Sequence, residues 1–223
     1  ASGYPDGAEG RRPIYQERIL AWLDHYVKGL DVAVGPEIEW QAQDGFYYAG
    51  PRFPLPGTRG VEGTGFSATL AGPGPGGGDG VLDGNPAPAF EVGTSAAREV
   101  VFEAGKDRIA ILGVPRVKLS GSVTGLTAFL FFELVDVSPE GKRVTVDDQT
   151  MPLRLGSGGF EQALDLHGIS WILEPGHSLE LEITTGSLQY QVPRMGPYAV
   201  SLEAITELPV ANSGAVKHRI TSP

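Results

Sequence analysis

Leu126-Thr127-Ala128-Phe129-Leu130-Phe131-Phe132-Glu133-Leu134-Val135-Asp136-Val137, followed by Ser138-Pro139-Glu140-Gly141, is the stretch that decides the fold. From Ala128 onward it is almost continuously apolar, yet it carries Glu133 and falls far short of the ~20 residues a membrane-crossing helix needs. It reads as a buried strand closed by a turn in which Pro and Gly supply the punctuation. The same period of two extends to either side. Val117, Leu119 and Val123 are separated by polar residues, and Val144 and Val146 alternate with Arg143, Thr145 and Asp147. Leu179, Leu181 and Ile183 face away from Glu180 and Glu182, and Val200, Leu202 and Ala204 repeat the scheme. Gly156-Ser157-Gly158-Gly159, Glu174-Pro175-Gly176 and Arg194-Met195-Gly196-Pro197 read as the turns between them. Short strands with no helices between them predict a mainly β fold, an antiparallel sandwich or jelly roll over residues 100–209. From Leu208 the periodicity fades, and residues 210–223 read as a polar tail.

Upstream the pattern changes to the period of a helix. Pro13 suits a first-turn position, Tyr15, Ile19, Trp22 and Tyr26 recur at helical spacing, and Lys28-Gly29 offers a cationic last turn with a glycine stop. Leu20, Leu23 and Val27 widen the apolar face beyond one stripe, so this helix needs cover from a large surface. Ile38 to Gln43 then reads as a short strand with Ile38 and Trp40 on one face, and the aromatic cluster Phe46, Tyr47 and Tyr48 follows it. Between Gly50 and Pro88, 19 of 39 residues are Gly or Pro, a density at which no helix or central strand is expected. Residues 31–99 therefore read as a connecting belt with one short strand, and residues 1–30 as a separate helical piece whose polar, Gly-rich start looks cut into.

Composition narrows the function. The 223 residues carry 17 Lys and Arg against 27 Asp and Glu, a net charge of −10, and no basic stripe that could neutralise phosphates. Nucleic acid and anionic membrane are poor partners for such a surface. With no cysteine, disulfides, thiolate zinc sites, iron–sulfur clusters and cysteine nucleophiles are all excluded from these residues. At 41% hydrophobic and 20% charged the chain has the composition of a folded globular domain.

A catalytic set does not emerge. A hydrolase nucleophile elbow needs G-x-S-x-G at a strand-to-helix turn, and the nearest string, Gly93-Thr94-Ser95-Ala96-Ala97, lacks the second glycine. The Gly-rich tract has no Lys-Ser/Thr after it and so is not a phosphate loop. His25, His167, His177 and His218 stand at no metal-ligand spacing from one another and read as structural or solvent-facing. Asp147-Asp148 with Asp136 and Glu140 offer oxygens of the kind Ca²⁺ takes, without the loop of an EF-hand; they read as turn carboxylates that accept backbone amides. The aromatics Trp40, Phe46, Tyr47, Tyr48 and Trp171 suit either a substrate groove or ordinary packing.

Three stretches together resemble one family. Arg18-Ile19-Leu20-Ala21-Trp22-Leu23-Asp24-His25-Tyr26-Val27-Lys28-Gly29 resembles the helix that ends the α/β-hydrolase domain of the X-prolyl dipeptidyl-peptidase and cocaine-esterase-like serine hydrolases. Phe131 to Gly141 is similar to the "L-x-D-V-x-P-D-G" hairpin of that family's C-terminal jelly roll, and Pro175 to Ile183 to its "G-H-x-L-x-L-x-I" strand. The resemblance implies a galactose-binding-like jelly-roll β-sandwich preceded by a helix left over from an α/β-hydrolase domain. It also implies a parent enzyme that removes X-Pro dipeptides or cleaves acyl esters and amides with a Ser-His-Asp triad, and no cofactor. None of that triad has an equivalent here, and His25, inside the matching helix, does not take its role. On this reading the 223 residues are a non-catalytic C-terminal domain, inactive alone, which covers the hydrolase domain and narrows access to its active site.

What the domain would touch follows from the same resemblance. Ile19, Leu20, Trp22, Leu23 and Tyr26 are expected to pack on the hydrolase core or, in its absence, on the sandwich or a second copy of the chain. Trp22, Trp40, Phe46, Tyr47, Tyr48 and Trp171 are the candidates for a substrate rim or a domain interface. The competing reading is an independent carbohydrate- or ligand-binding sandwich in which Trp171 or the Phe46–Tyr48 cluster stacks on a sugar ring; a third is a scaffold that uses its sheet faces.

Overall fold

Val117, Leu119 and Val123 are buried at odd positions, and Ala128, Leu130, Phe132 and Leu134 at even ones, along one continuous strand. A computed structural model, describing residues 14–43, 47–50, 52, 53, 55, 57–72, 96–187, 190 and 197–211, shows how a single strand can do this. In chain order its elements are α1 (Ile14–Tyr26), β1 (Ile38–Gln41), β2 (Tyr47–Gly50), β3 (Arg59–Glu62), β4 (Phe66–Gly72), β5 (Ala96–Glu103), β6 (Ile109–Gly113) and β7 (Arg116–Val137). There follow β8 (Arg143–Thr145), a 3-10 turn at Val146–Asp148, β9 (Met151–Asp165), β10 (Ile169–Leu173), β11 (Ser178–Thr184) and β12 (Tyr198–Ala211). Two compact units result. One comprises Ala1–Gly57 with Gly214–Pro223 and holds α1 and the β1–β2 hairpin; the other, Thr58–Ser213, holds the remaining strands.

The second unit is one antiparallel sheet in the order β10-β6-β12-β7-β11-β5, with β3 and β4 also paired to β12, and β8 and β9 to β7. It curls into a β-sandwich whose inner faces enclose a core that includes Leu70, Ile111, Leu130, Phe132, Leu173, Leu179, Leu181, Ile183 and Leu208. Each such side chain, once taken out of water, contributes about 1.5–3 kcal/mol. β7 is the shared spine. Its first half pairs with β12, from Arg116↔Glu207 to Thr124↔Ala199, and its second half with β11, from Phe131↔Thr184 to Val137↔Ser178. On its other side β8 pairs with Val135 to Val137, and β9 follows it from Arg116 to Phe132, with a register shift between Val123 and Thr127. There Gly125 (φ +115°) and Gly158 (φ +96°) adopt the left-handed region that glycine tolerates. The bulge bends β7 and moves its core-facing set from odd to even positions.

The first unit is held locally. The α1 helix ends where Gly29 turns left-handed (φ +68°) and the Gly29 and Leu30 amides return to the carbonyls of His25 and Asp24. Arg18 grips Glu39 through two hydrogen bonds, Nε to Oε2 at 2.8 Å and Nη2 to Oε1 at 3.2 Å, which hold the helix to β1. No helix among the described residues is long and apolar enough to cross a membrane.

Four expectations are corrected. The Gly/Pro tract from Gly50 contains β3 and β4, because its glycines thin out between Arg59 and Gly72 and each segment needs only β12 as a partner. Gly156-Ser157-Gly158-Gly159 is a kink inside β9 and not a turn between strands. Val146 leaves the strand pattern because Asp147 and Asp148 both turn to positive φ. Finally, β12 runs through Pro209 to Ala211, with Val210 and Ala211 buried, where a polar tail was expected; β3 and β6 provide the partners.

Candidate functional site

The six aromatic candidates fall in both units. Trp22 stands on α1, 52% exposed, with its ring 5.0 Å from that of Tyr26. Ile19, Leu20, Leu23, Val27 and Leu30 are exposed beside them, so the apolar face of α1 is open to solvent within its own unit. Trp40 is half-buried on β1, opposite Tyr48, with Tyr47 opposite Gln41 on the same hairpin. Phe46 lies outside the described residues. The Glu39 carboxylate, hydrogen-bonded to Arg18, holds that guanidinium's pKa above its ordinary value and fixes its charge at the junction of helix and hairpin.

Trp171 is different in kind. It is 6% exposed, its ring belongs to the sandwich core, and its Nε1–H donates to Asp136 Oδ2 at 2.8 Å. A ring buried in this way presents no face to a sugar, which corrects the stacking role considered for it. Asp136 is itself 6% exposed, and its other oxygen accepts from His177 Nδ1 at 2.7 Å. Asp136 shares its parity with Phe132 and Leu134, so it points inward at the end of β7, and two donors answer its burial. Around it the turn at 174–177 is pinned: the His177 amide donates to Glu174 O, the Gly176 amide to Gly105 O, and the Ala104 amide to His177 O. A Cβ on Gly176 would meet Pro139 Cγ at 3.2 Å.

The structure thus joins two stretches that stand apart in the sequence. The hairpin Ser138-Pro139-Glu140-Gly141 and the strand led by Pro175-Gly176-His177 are adjacent, and Asp136 is the group they share. Expecting Asp136 to be a turn carboxylate was mistaken. The signal that would have found it was its place in the even series of core-facing residues on β7.

The other carboxylates and histidines disperse. Asp147 Oδ2 accepts the Ser170 amide at 3.0 Å, and burial pushes its pKa up. Ser138 Oγ donates to Glu140 Oε2 at 2.8 Å, which lowers the pKa of Glu140. His25 packs edge-on to Tyr26, His167 Nε2 lies 3.3 Å from Thr150 O, and His218 and Ser95 lie outside the described residues. Among the described residues no three His, Asp or Glu side chains are grouped as a metal site would require. On the outer face of the sheet Ser67, Thr69, Ser120, Ser122, Ser201 and Glu203 line an open trough of about 510 Å³, with no aromatic ring among its lining residues.

No family model and no curated protein matches the chain by sequence. Solved structures do match it. One is a CocE/NonD family hydrolase from Staphylococcus aureus, with a TM-score of 0.62 at 12% identity over 90% of this chain and 46% of that one. Another is an aminopeptidase from the marine sediment archaeon Thaumarchaeota archaeon, with a TM-score of 0.64 at 12% identity over 89% of this chain and 44% of that one. At such identity the likeness is one of fold. The chain spans less than half the length of either.

Proposed function

We propose that this chain is the non-catalytic C-terminal domain of a serine hydrolase of the CocE/NonD kind, whose role is to cover the hydrolase domain and narrow the approach to its active site. The observation that carries the reading is the fold it shares, over about nine-tenths of its length, with less than half of each of two hydrolytic enzymes. The open apolar face of α1 supports it. Trp22, Tyr26 and their neighbours would lose a large apolar area to water in isolation, and a hydrolase domain is the partner that the proposal supplies. Trp40 and the β1–β2 hairpin, held to α1 by Arg18 and Glu39, are the rim candidates that this arrangement would carry to the catalytic cleft. The finer reading assigns the parent to X-Pro dipeptide removal and rests on the three motifs alone.

The test is hydrolysis of Gly-Pro p-nitroanilide and of short-chain p-nitrophenyl esters by the chain alone and by the full reading frame that encodes it. Activity confined to the longer protein supports the proposal, and the preferred substrate separates peptidase from esterase. Turnover by the 223 residues alone, abolished by a serine-directed inhibitor, would overturn it. An independent sugar-binding module remains the competitor; Trp171 is buried and the trough has no aromatic ring among its lining residues, so its stacking platform would have to be the Phe46–Tyr48 cluster.

A further inference from the structure

The edges of the sheet are not equally protected. The β10 edge is blunted by Asp147, whose carboxylate occupies the Ser170 amide, and the β5 edge is met by the Thr64 amide, which donates to Val101 O at 3.2 Å. β9, fifteen residues long, pairs with β7 on one side and with no other strand among the described residues. Natural edges of this length are usually broken by Lys, Pro or inward charge. Here Pro152 stands near the start, and from Leu153 to Asp165 Arg154 is the one basic residue.

We infer that the open edge of β9 seats a second copy of this chain, strand against strand, about a twofold axis between Ser157 and Gly158. In that antiparallel register Arg154 of each copy stands opposite Glu161 of the other. Leu155 stands opposite Phe160, and Gly156 opposite Gly159. The faces agree. Arg154 and Glu161 are both exposed, whereas Leu155 is buried and Phe160 half-buried on the core side, because the kink at Gly158 changes the parity between them. Neither charge has an ion-pair partner among the described residues, so the twofold arrangement pairs two cations with two anions that are otherwise left to solvent. The glycines at the centre let the two backbones approach without side chains between them. Any other register of β9 on itself breaks the Arg154–Glu161 match, and one centred on Gln162 brings the acidic ends of the two strands together.

The test is sedimentation equilibrium of the 223-residue chain, the Arg154→Glu and Glu161→Arg variants, and the double variant, with circular dichroism to verify that each is folded. The expected result is a dimer that each single reversal weakens by about tenfold or more and that the double reversal restores to within about threefold. A chain that stays monomeric up to ~0.5 mM would overturn the inference. So would a dimer indifferent to the reversals, or one the double variant does not restore. A dimer abolished by Trp22→Glu and untouched by the reversals would overturn it too, by moving the contact to α1.

Discussion

The ring of Tyr198 lies directly over Gly72, its partner across the β4–β12 ladder: a Cβ added to Gly72 would sit 1.7 Å from the ring's Cζ. On the neighbouring strand Gly125 faces the base of the same side chain, its missing Cβ 3.0 Å from that of Tyr198. The side chain is buried, and its phenol donates to Phe129 O at 2.7 Å. Gly72→Ala is therefore expected to cost about 2–4 kcal/mol of unfolding free energy in urea titration, since the methyl would displace a buried ring.

Burial also holds the Tyr198 pKa above its ordinary value of 10.0. The folded state then keeps a proton that the unfolded state gives up. The corresponding stability is fully present below pH ~10 and is lost as pH rises further toward the folded-state value. Tyr198→Phe should remove this alkaline loss from the pH–stability profile, while lowering stability at neutral pH by about 1 kcal/mol through the lost hydrogen bond to Phe129 O.

Asp136→Ala would leave the Trp171 Nε1–H and the His177 Nδ1–H facing each other with no acceptor between them. The expected cost is about 2–4 kcal/mol. Because Trp171 is the probe, its near-ultraviolet circular dichroism band should change along with stability, and Asp136→Asn, which keeps one acceptor, should recover part of both.

Thr206 carries the opposite sign. Its Oγ1 is buried inside the sandwich with no hydrogen-bond partner among the described residues, and its backbone carbonyl is already used by the Gly63 amide. Thr206→Val keeps the shape and removes the unpaired hydroxyl, so thermal unfolding should show a gain of about 1 kcal/mol.

Asp147 pairs a raised pKa with a positive φ of 53°. Since its folded pKa lies above the ordinary carboxylate value, stability is greatest below that value and declines as pH rises through the folded-state pKa. Asp147→Asn keeps an acceptor for the Ser170 amide and tolerates the left-handed backbone, so it should abolish this decline and add up to about 0.5 kcal/mol at neutral pH.

The residues that were legible in the sequence are those whose environment is set by their own strand. Leu179, Leu181 and Ile183 alternate with Glu180 and Glu182, and all three are buried on β11; the apolar run after Ala128 is the strand it was read to be. The residues that were not legible take their places from distant partners. β3 and β4 exist because β12 offers them an edge more than a hundred residues later, and no local pattern announces that. The glycines at 156–159 carry the signature of a turn, and only the bulge opposite them on β7 turns that signature into a kink. At the candidate site the exposed helix face was visible from its 3.6-residue spacing. The burial of Trp171 was not, because an aromatic ring gives the same sequence signal in a core as on a platform.

The pairing pattern of β7 has a consequence for biosynthesis. Translation delivers β7 before any of β8, β9, β11 and β12, its pairing partners, so a growing chain holds a strand of 22 residues, apolar through its second half, with both edges unsatisfied. β8 and then β9 arrive first and can zip against it locally, whereas β11 and β12, which close the other edge, are the last strands made among the described residues. At about 5–20 residues per second this leaves several seconds in which the nascent sandwich is open, and a topology so rich in distant contacts folds slowly even when complete. Yield in a heterologous host should therefore depend on chaperone supply and on translation rate through the segment before β12, more than on the equilibrium stability of the finished domain.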